Sequence, residues 1–410
     1  MRCLAAFVCC LSLAAGDLSH LDELYQEDRV FALREALEQP GWDASSTLFY
    51  RAVVEARFGH ETEGIEDLRK FLPAHPNSGL ERKANEELAS ALERIGRYGE
   101  AARALTEALR LTPPKDQDRA GNENNRSLDE ALSDVAPQTV QFEPAGPIEP
   151  RPDRLGSRNV PVEVNGREAE WTFDTGANLS TIVESEAARL GLSTRESNTY
   201  VTGSTGKKTS LRLAVAREFR LGGAHLGNVV FLVLPDAALY VVSEKYQIRG
   251  ILGLPVIRAL GTVGISSSGA VRIGAQEGSE GGAPNLFFDD LDVVAAVYHS
   301  GHQLQMFLDT GANATEIYPS FRSAFVRDEL GKLRSRHEKT AGAGGMISRK
   351  TDVVSTLRLE ILGRTVDIPN VSLLRKQPAG KASDRDGVLG MDALAGGFTL
   401  DFVNMRLRLQ

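Results

Sequence analysis

The 410-residue sequence predicts a multidomain α + β protein, an α-helical repeat unit followed by two mainly-β units of common design. Three observations carry this. Across residues 17–112 apolar residues recur at three- and four-residue spacing, as in Leu21, Leu24 and Tyr25 or Leu88, Leu92 and Ile95, the period of one helix face. From Val160 onward the period changes to two. A short acidic-glycine motif, FDTGAN at 173–178, returns almost unchanged as LDTGAN at 308–313.

The totals set bounds. A 42% hydrophobic and 25% charged composition is that of a globular protein, and the length suggests two or three domains. A net charge of -8 without a basic tract argues against nucleic-acid binding as the main task. Residues 1–16 read as a secretory signal peptide: Arg2 is a minimal positive start, 3–13 is apolar, and Ala14, Ala15 and Gly16 offer small residues for cleavage. All three cysteines, Cys3, Cys9 and Cys10, lie inside that segment. Its removal leaves no thiol for disulfides, thiolate metal sites or cysteine nucleophiles. No later stretch is apolar for long enough to span a bilayer. The expectation is an exported protein, periplasmic or extracellular, with no membrane span, no cofactor and no metal site.

Within the helical unit, 17–112, residues 56–72 align with 93–109. Gly59 falls over Gly96, Leu68 over Leu105 and Leu72 over Leu109, at an offset of 37. That is close to the roughly 34-residue period of helix-pair repeats. GRYGEA, 96–101, resembles the turn and second-helix start of the tetratricopeptide family. The resemblance implies a surface for a protein partner; the plainer alternative is a helical appendage that only packs against the rest. His60-Glu61 reads as an isolated pair on a helical surface. Residues 113–152, rich in Pro, Asp, Glu, Asn and Gln, read as a linker with room for a short helix at 127–135.

The first β unit spans 153–274. Val160, Val162 and Val164 alternate, Asn165-Gly166 is a strong hairpin signal, and 170–173 runs straight into DTGA. A helical stretch at 184–190, Gly-punctuated strands over 200–234, the apolar segment 248–257 and a closing strand at 270–273 follow. A polar linker, 275–285, leads to the second unit, 286–410. It has strands at 293–298 and 304–308, then DTGA, a Gly-rich 340–346, strands at 353–362 and 366–374, DGVLGMDAL at 386–394, and one closing strand at 398–409. Asp174 precedes Gly253 by 79 residues and Asp309 precedes Gly390 by 81. So similar a spacing over dissimilar sequence indicates a duplicated fold.

One Asp-Thr-Gly-Ala loop at a strand end, seated on apolar neighbours such as Trp171, Phe173, Met306 and Leu308, presents one buried carboxylate. Two facing loops make a different object. Carboxylates about 3 Å apart cannot both ionise, so they share a proton and their pKa values separate. One can then act as general base on water while the other donates to an amide carbonyl oxygen. This chemistry needs neither metal, thiol nor histidine.

Together, DTGA and the downstream Ile251-Leu252-Gly253 or Val388-Leu389-Gly390 resemble the retropepsin-like aspartic proteases, in two copies from Val160 to the C-terminus. The resemblance implies catalytic Asp174 and Asp309 in Asp174-Thr175-Gly176-Ala177 and Asp309-Thr310-Gly311-Ala312. It also implies that Thr175 and Thr310 lock the loops together and that Gly253 and Gly390 pass behind them. Family members close a Gly-rich flap over a peptide substrate. The candidates here are Gly203 and Gly206 in the first copy, and Gly342 and Gly344 in the second. Two copies in one chain resemble the bilobal, pepsin-like arrangement, although two flaps are nearer the retroviral one. Ala177 and Ala312 stand where many bilobal relatives carry Ser or Thr, which implies a dyad of raised pKa and a less acidic optimum.

Three alternatives stay open: an aspartic endopeptidase with one intrachain site, lobes that pair between chains, and an inactive peptide-binding adaptor. Other motifs carry less. GSTGKKTS, 203–210, lacks a P-loop's first glycine and final hydroxyl. Ser266 to Ser268 lacks the glycines of a nucleophile elbow. The sequons at Asn178 and Asn313 abut the presumed site and read as a shared loop feature.

Overall fold

A computed structural model of the chain describes residues 18–202, 208–274, 282–325, 333–342, 345–377 and 385–410. The segment read as a signal peptide, 1–16, and most of the polar linker, 275–281, lie outside them. Six helices come first: α1 Leu18–Gln26, α2 Val30–Leu37, α3 Leu48–Arg57, α4 Glu61–Ala74, α5 Glu81–Arg94 and α6 Tyr98–Leu111. Gly59 and Gly96 both turn the chain out of a helix at positive φ, 89° and 72°. α4 lies close on α3 because Gly64 lacks a side chain; a Cβ there would sit 2.7 Å from that of Ala56. Leu21, Leu33, Phe49, Val53 and Leu68 form the core between these helices.

Much of 113–152, read from composition as a linker, is folded. Helix α7 spans Arg119–Ala131, starting eight residues before the short helix expected at 127. Its apolar residues are few, but Leu128, Ala131, Leu132 and Val135 share a face and meet Leu211, Leu213, Val230, Leu232 and Leu234 on a sheet. A segment too polar for a core of its own is thus ordered by a neighbour's apolar surface.

The first β unit begins with β1 Thr139–Phe142, β2 Arg151–Pro152, β3 Arg158–Val164, β4 Arg167–Phe173 and β5 Ser180–Val183. After α8 Glu184–Arg189 come β6 Thr194–Thr202, β7 Lys208–Ala216, β8 Phe219–Leu221, β9 Ala224–Gly227 and β10 Val229–Leu234. Next are β11 Tyr240–Val241, β12 Tyr246–Gln247, β13 Gly250–Leu252, α9 Leu254–Ala259, β14 Thr262–Ser266 and β15 Val271–Ile273. The second unit has β16 Leu286–Asp289, β17 Asp292–His299, β18 His302–Leu308, β19 Glu316–Ile317 and α10 Pro319–Ala324. It continues with β20 Arg334–Gly342, β21 Gly345–Ile361, β22 Arg364–Leu373, β23 Gly387–Leu389, β24 Gly397–Asp401 and β25 Arg406–Leu409.

Val160, Val162 and Val164 are buried on β3, and Asn165 and Gly166 take positive φ, 48° and 79°, in the two-residue turn to β4. The closing segment 398–409 is a hairpin rather than one strand. Asp401 accepts the backbone N–H groups of Val403 and Asn404 at 3.1 and 3.0 Å, and Met405 turns at φ 50°. An aspartate that satisfies the two following amides competes with extended pairing.

In the first large sheet the run β3-β4-β13-β5-β10-β7-β6 matches, strand for strand, β17-β18-β23-β19-β22-β21-β20 of the second. A separate sheet, β15-β14-β24-β25, takes two strands from each unit and joins them through β14 and β24.

The helices are bound into the β part. Phe31 and Phe58 stack edge-on and tilted against Phe287 of β16, at 5.3 and 6.4 Å. Arg57 reaches Asp28 and Glu87 at 2.6 Å each and Asp289 at 3.8 Å. Glu61 corrects its reading as a surface residue: it is 3% exposed and takes Arg94 at 3.2 Å and Arg258 of α9 at 2.6 Å. Two arginines supply the compensation that a buried carboxylate requires.

Candidate active site

β4 and β18 each end in a residue of the core, Phe173 or Leu308, and the next residue is the aspartate. The following turn is tight: Ala177 N donates to Asp174 O at 3.3 Å and Ala312 N to Asp309 O at 3.2 Å. Behind each turn runs an apolar strand. β13 pairs parallel with β4, Leu252 opposite Phe173, and antiparallel with β5, Ile251 opposite Thr181. β23 repeats this, with Leu389 opposite Leu308 and Val388 opposite Glu316. Asp174 N donates to Leu252 O at 3.0 Å, and Asp309 N to Leu389 O at 3.1 Å.

Gly253 and Gly390 are required by close approach. A Cβ on Gly253 would lie 2.4 Å from the carbonyl carbon of Leu179, and one on Gly390 2.6 Å from that of Ala314. Their amides donate to Ser180 Oγ at 3.0 Å and Thr315 Oγ1 at 3.1 Å. Those two hydroxyls support the candidate site and were not singled out in the sequence. They are the hydroxyl positions of the two sequons, and the legible signal was their common offset of six from each aspartate.

The loops meet through the threonines. Thr175 N donates to Thr310 Oγ1 at 3.0 Å, and Thr310 N to Thr175 Oγ1 at 3.1 Å. Each hydroxyl in turn donates across the interface, Thr175 to Leu308 O at 2.7 Å and Thr310 to Phe173 O at 3.1 Å. The glycines then abut the opposite carboxyl. A Cβ on Gly176 would lie 2.7 Å from Asp309 Cγ, and one on Gly311 2.4 Å from Asp174 Cγ. Asp174 and Asp309 therefore face one another within a single chain.

Each carboxylate is also held by its own loop. Gly176 N donates to Asp174 Oδ1 at 2.8 Å. Gly311 N and Ala312 N donate to Asp309 Oδ1 at 2.9 and 3.0 Å. Both pKa values are raised. Burial pushes Asp174 well above the usual carboxylate range, and the neighbouring charge of Asp309 pushes it further. Burial also raises Asp309, opposed by the hydrogen bond from Asp174 and by the loop amides. Two buried carboxyls this close share one proton as a pair.

Glu316, Tyr318 and Asp292 lie within electrostatic reach of Asp309 and were not singled out in the sequence. Glu316 on β19 is ion-paired with Arg349 of β21. Of the flap glycines, Gly203, Gly206 and Gly344 lie outside the described residues, while Gly342 ends β20 opposite Gly345.

No curated protein matches the chain. Residues 160–256, from β3 into α9 and including Asp174 and Gly253, match the family model described as aspartyl protease. This stretch, with its buried aspartate loop and the strand behind it, is similar to an aspartyl protease domain.

Proposed function

We propose that the chain is an aspartic endopeptidase with one catalytic dyad, Asp174 and Asp309, built from two retropepsin-like lobes in tandem. The observation that carries this is the reciprocal hydrogen bonding of Thr175 and Thr310, which holds the two carboxyls face to face. Asp309 accepts a proton from the attacking water as its oxygen adds to the scissile carbonyl carbon. Asp174 gives its proton to the carbonyl oxygen, leaving a neutral tetrahedral diol. When the C–N bond breaks, the amine nitrogen takes the proton from Asp309 and a diol hydroxyl returns one to Asp174. Atoms and charges balance, and the dyad regains its single shared proton.

The helical unit is read as tetratricopeptide-like, with a protein partner as its occupant, and residues 1–16 as the signal that exports the chain to the periplasm or beyond. The test of the central reading is to compare Asp174→Asn and Asp309→Asn in peptide cleavage and in binding of a pepstatin-type inhibitor. One intrachain site requires either change alone to abolish cleavage. About half the activity surviving each change would indicate separate sites between chains. Inhibitor binding without cleavage in the wild type would indicate a peptide-binding adaptor.

A further inference from the structure

We infer that the helical unit is an electrostatic part of the dyad: Arg57 of α3 holds Asp289, Asp289 holds Arg385, and Arg385 governs the charge of Asp292 beside Asp309. This rests on the protease reading above. Asp289 and Asp292 stand directly opposite one another where β16 turns into β17. Like charges so opposed destabilise a hairpin. Arg385, 4% exposed, spans them and donates to Asp289 Oδ2 at 2.7 Å and to Asp292 Oδ2 at 2.9 Å. One guanidinium offsets one carboxylate of the two, and the second cation comes from the helices: Arg57 lies 3.8 Å from Asp289 Oδ1. The same helical unit grips the turn between the two aspartates, since Arg94 Nη1 donates to Asp290 O at 2.9 Å and Ser90 Oγ to Asp290 Oδ1.

The other end of this chain of charges lies against the strand that carries Asp309. The Arg385 guanidinium sits 5.3 Å over the ring of Phe307, two residues before Asp309. The residue after it, Asp386, is fixed to the same strand: its N–H donates to Gln305 O at 2.9 Å, and Gln305 N donates to its Oδ2 at 2.9 Å. Burial raises the Asp292 carboxyl, Arg385 opposes this, and the charges of Asp289 and Asp309 raise it further. Asp292 and Asp309 thus oppose each other's ionisation, and Arg385 is the counter-charge between them. Asp309 is also faced by Asp174 from the first lobe, by Glu316 with its partner Arg349, and by Tyr318. Asp292 differs from these in drawing its counter-charge from a residue that the helical unit holds.

Positive charge is scarce along this path. Asp28, Glu87, Asp289 and Asp292 share Arg57 and Arg385. Asp28, at the α1–α2 turn, is pushed up to about 6, by burial first, with Arg57 opposing and Asp289 adding to it. Its backbone touches β18 as well, where Gln305 Nε2 donates to Asp28 O at 2.9 Å. With so little cation to spare, a change at one arginine redistributes the other. Arg57 and Arg385 both act through Asp292 and are positioning residues.

The test compares the pH dependence of kcat/KM in wild type, Arg57→Met, Asp289→Asn and Glu61→Gln, on the best-cleaved member of a quenched-fluorescence peptide set. In Arg57→Met, Asp289 draws Arg385 away from Asp292, and the less compensated Asp292 disfavours ionised Asp309. The acidic limb should move up by about half a pH unit. Asp289→Asn removes a negative charge and leaves Arg385 to Asp292, so the limb should move down by about as much. Arg57→Lys keeps the charge and should return the limb to its wild-type place. Glu61→Gln, assayed where it is folded, loosens the helical unit at its other anchor and should leave the limb unmoved. Shifts of one sign in Arg57→Met and Asp289→Asn, no shift in either, or a shift in Glu61→Gln equal to that of Arg57→Met would overturn the inference. Should Arg57→Met not fold, the downward shift of Asp289→Asn carries the test alone. A wild-type chain that cleaves no peptide removes the protease reading instead. The ionisation of Asp309 is then followed through its carboxyl-carbon resonance, and a titration alike in wild type and Asp289→Asn would overturn the inference.

Discussion

Thr175 and Thr310, 135 positions apart in sequence, are each other's hydrogen-bond partner twice over, amide to hydroxyl in both directions. Both are buried, at 1% and 8% exposure, so water cannot replace a lost partner. Thr310→Val keeps the shape but leaves the Thr175 amide and the Phe173 carbonyl without their partner. An unsatisfied buried group costs about 1–3 kcal/mol. The variant should lose stability on that order and at least tenfold in kcat, because small misplacements of reacting groups are expensive. Thr175→Val should behave alike. The double variant should cost less than the sum, since the two residues share one network. Calorimetry and cleavage assays on the three proteins check this, and strict additivity would count against the interlock.

Asp174 lies above the ordinary carboxylate range through burial first and Asp309 second. A carboxyl with a raised folded-state pKa binds its proton more firmly folded than unfolded. Its contribution to stability is complete below the unfolded value of about 4 and is lost as pH rises through the folded value. Asp174→Asn removes that loss. The variant should therefore be inactive and yet melt higher than wild type at pH 8, with little difference at pH 3. Equal melting temperatures at both pH values would contradict the account.

In the proposed endopeptidase the same carboxyls set the activity profile. Among the described residues the loop amides of Gly176, Gly311 and Ala312 donate to them from the protein backbone, and neither Ala177 nor Ala312 brings a hydroxyl. A donor to the ionised form lowers a carboxyl pKa. Wild type should work best at weakly acidic to neutral pH, and the Ala177→Thr, Ala312→Thr double variant should shift the optimum down by about one pH unit. An unmoved profile in a folded variant would dissociate the optimum from these positions.

Periodicity made the strands and both aspartate loops legible, because the information is local: Val160, Val162 and Val164 announce β3, and Asp-Thr-Gly announces the turn. What stayed hidden depends on distant partners. Helix α7 looked like linker because Leu128, Ala131 and Leu132 are sparse, and the sheet face that buries them lies some eighty residues or more downstream. Glu61 looked like a surface residue because nothing nearby in sequence foretells Arg258, 197 positions away. Ser180 and Thr315 were visible but unassigned, since the amides they receive from Gly253 and Gly390 close only in three dimensions.

Glu61 supplies a further prediction. It sits between Arg94 and Arg258, the first from the helices and the second from the β part, with side chains 1% and 21% exposed. Glu61→Gln leaves both cations without their counter-charge. Breaking a buried pair from one side costs about 3–5 kcal/mol. Because the triad spans the two parts, wild type should unfold in one transition and the variant earlier, with the helices separating first. A wild-type thermogram with two resolved transitions would show that the triad does not couple them.

Asp129, on α7, gives the last prediction. It is 2% exposed, and its pKa is pushed up to about 11, by burial first and then by Glu93, with which it shares a hydrogen bond. The raised value means that the proton is retained throughout the neutral range in the folded protein and released in the unfolded one. Stability drawn from this carboxyl is full below about pH 4 and declines steadily toward pH 11. An asparagine side chain in its place would offer an N–H to Glu93 without a proton to lose, so Asp129→Asn should be more stable than wild type at pH 8 by on the order of 1 kcal/mol. At pH 4 the advantage should vanish. Denaturant melts across that range read the difference directly, and parallel curves for the two proteins would mean that Asp129 and Glu93 do not share a proton beneath α7.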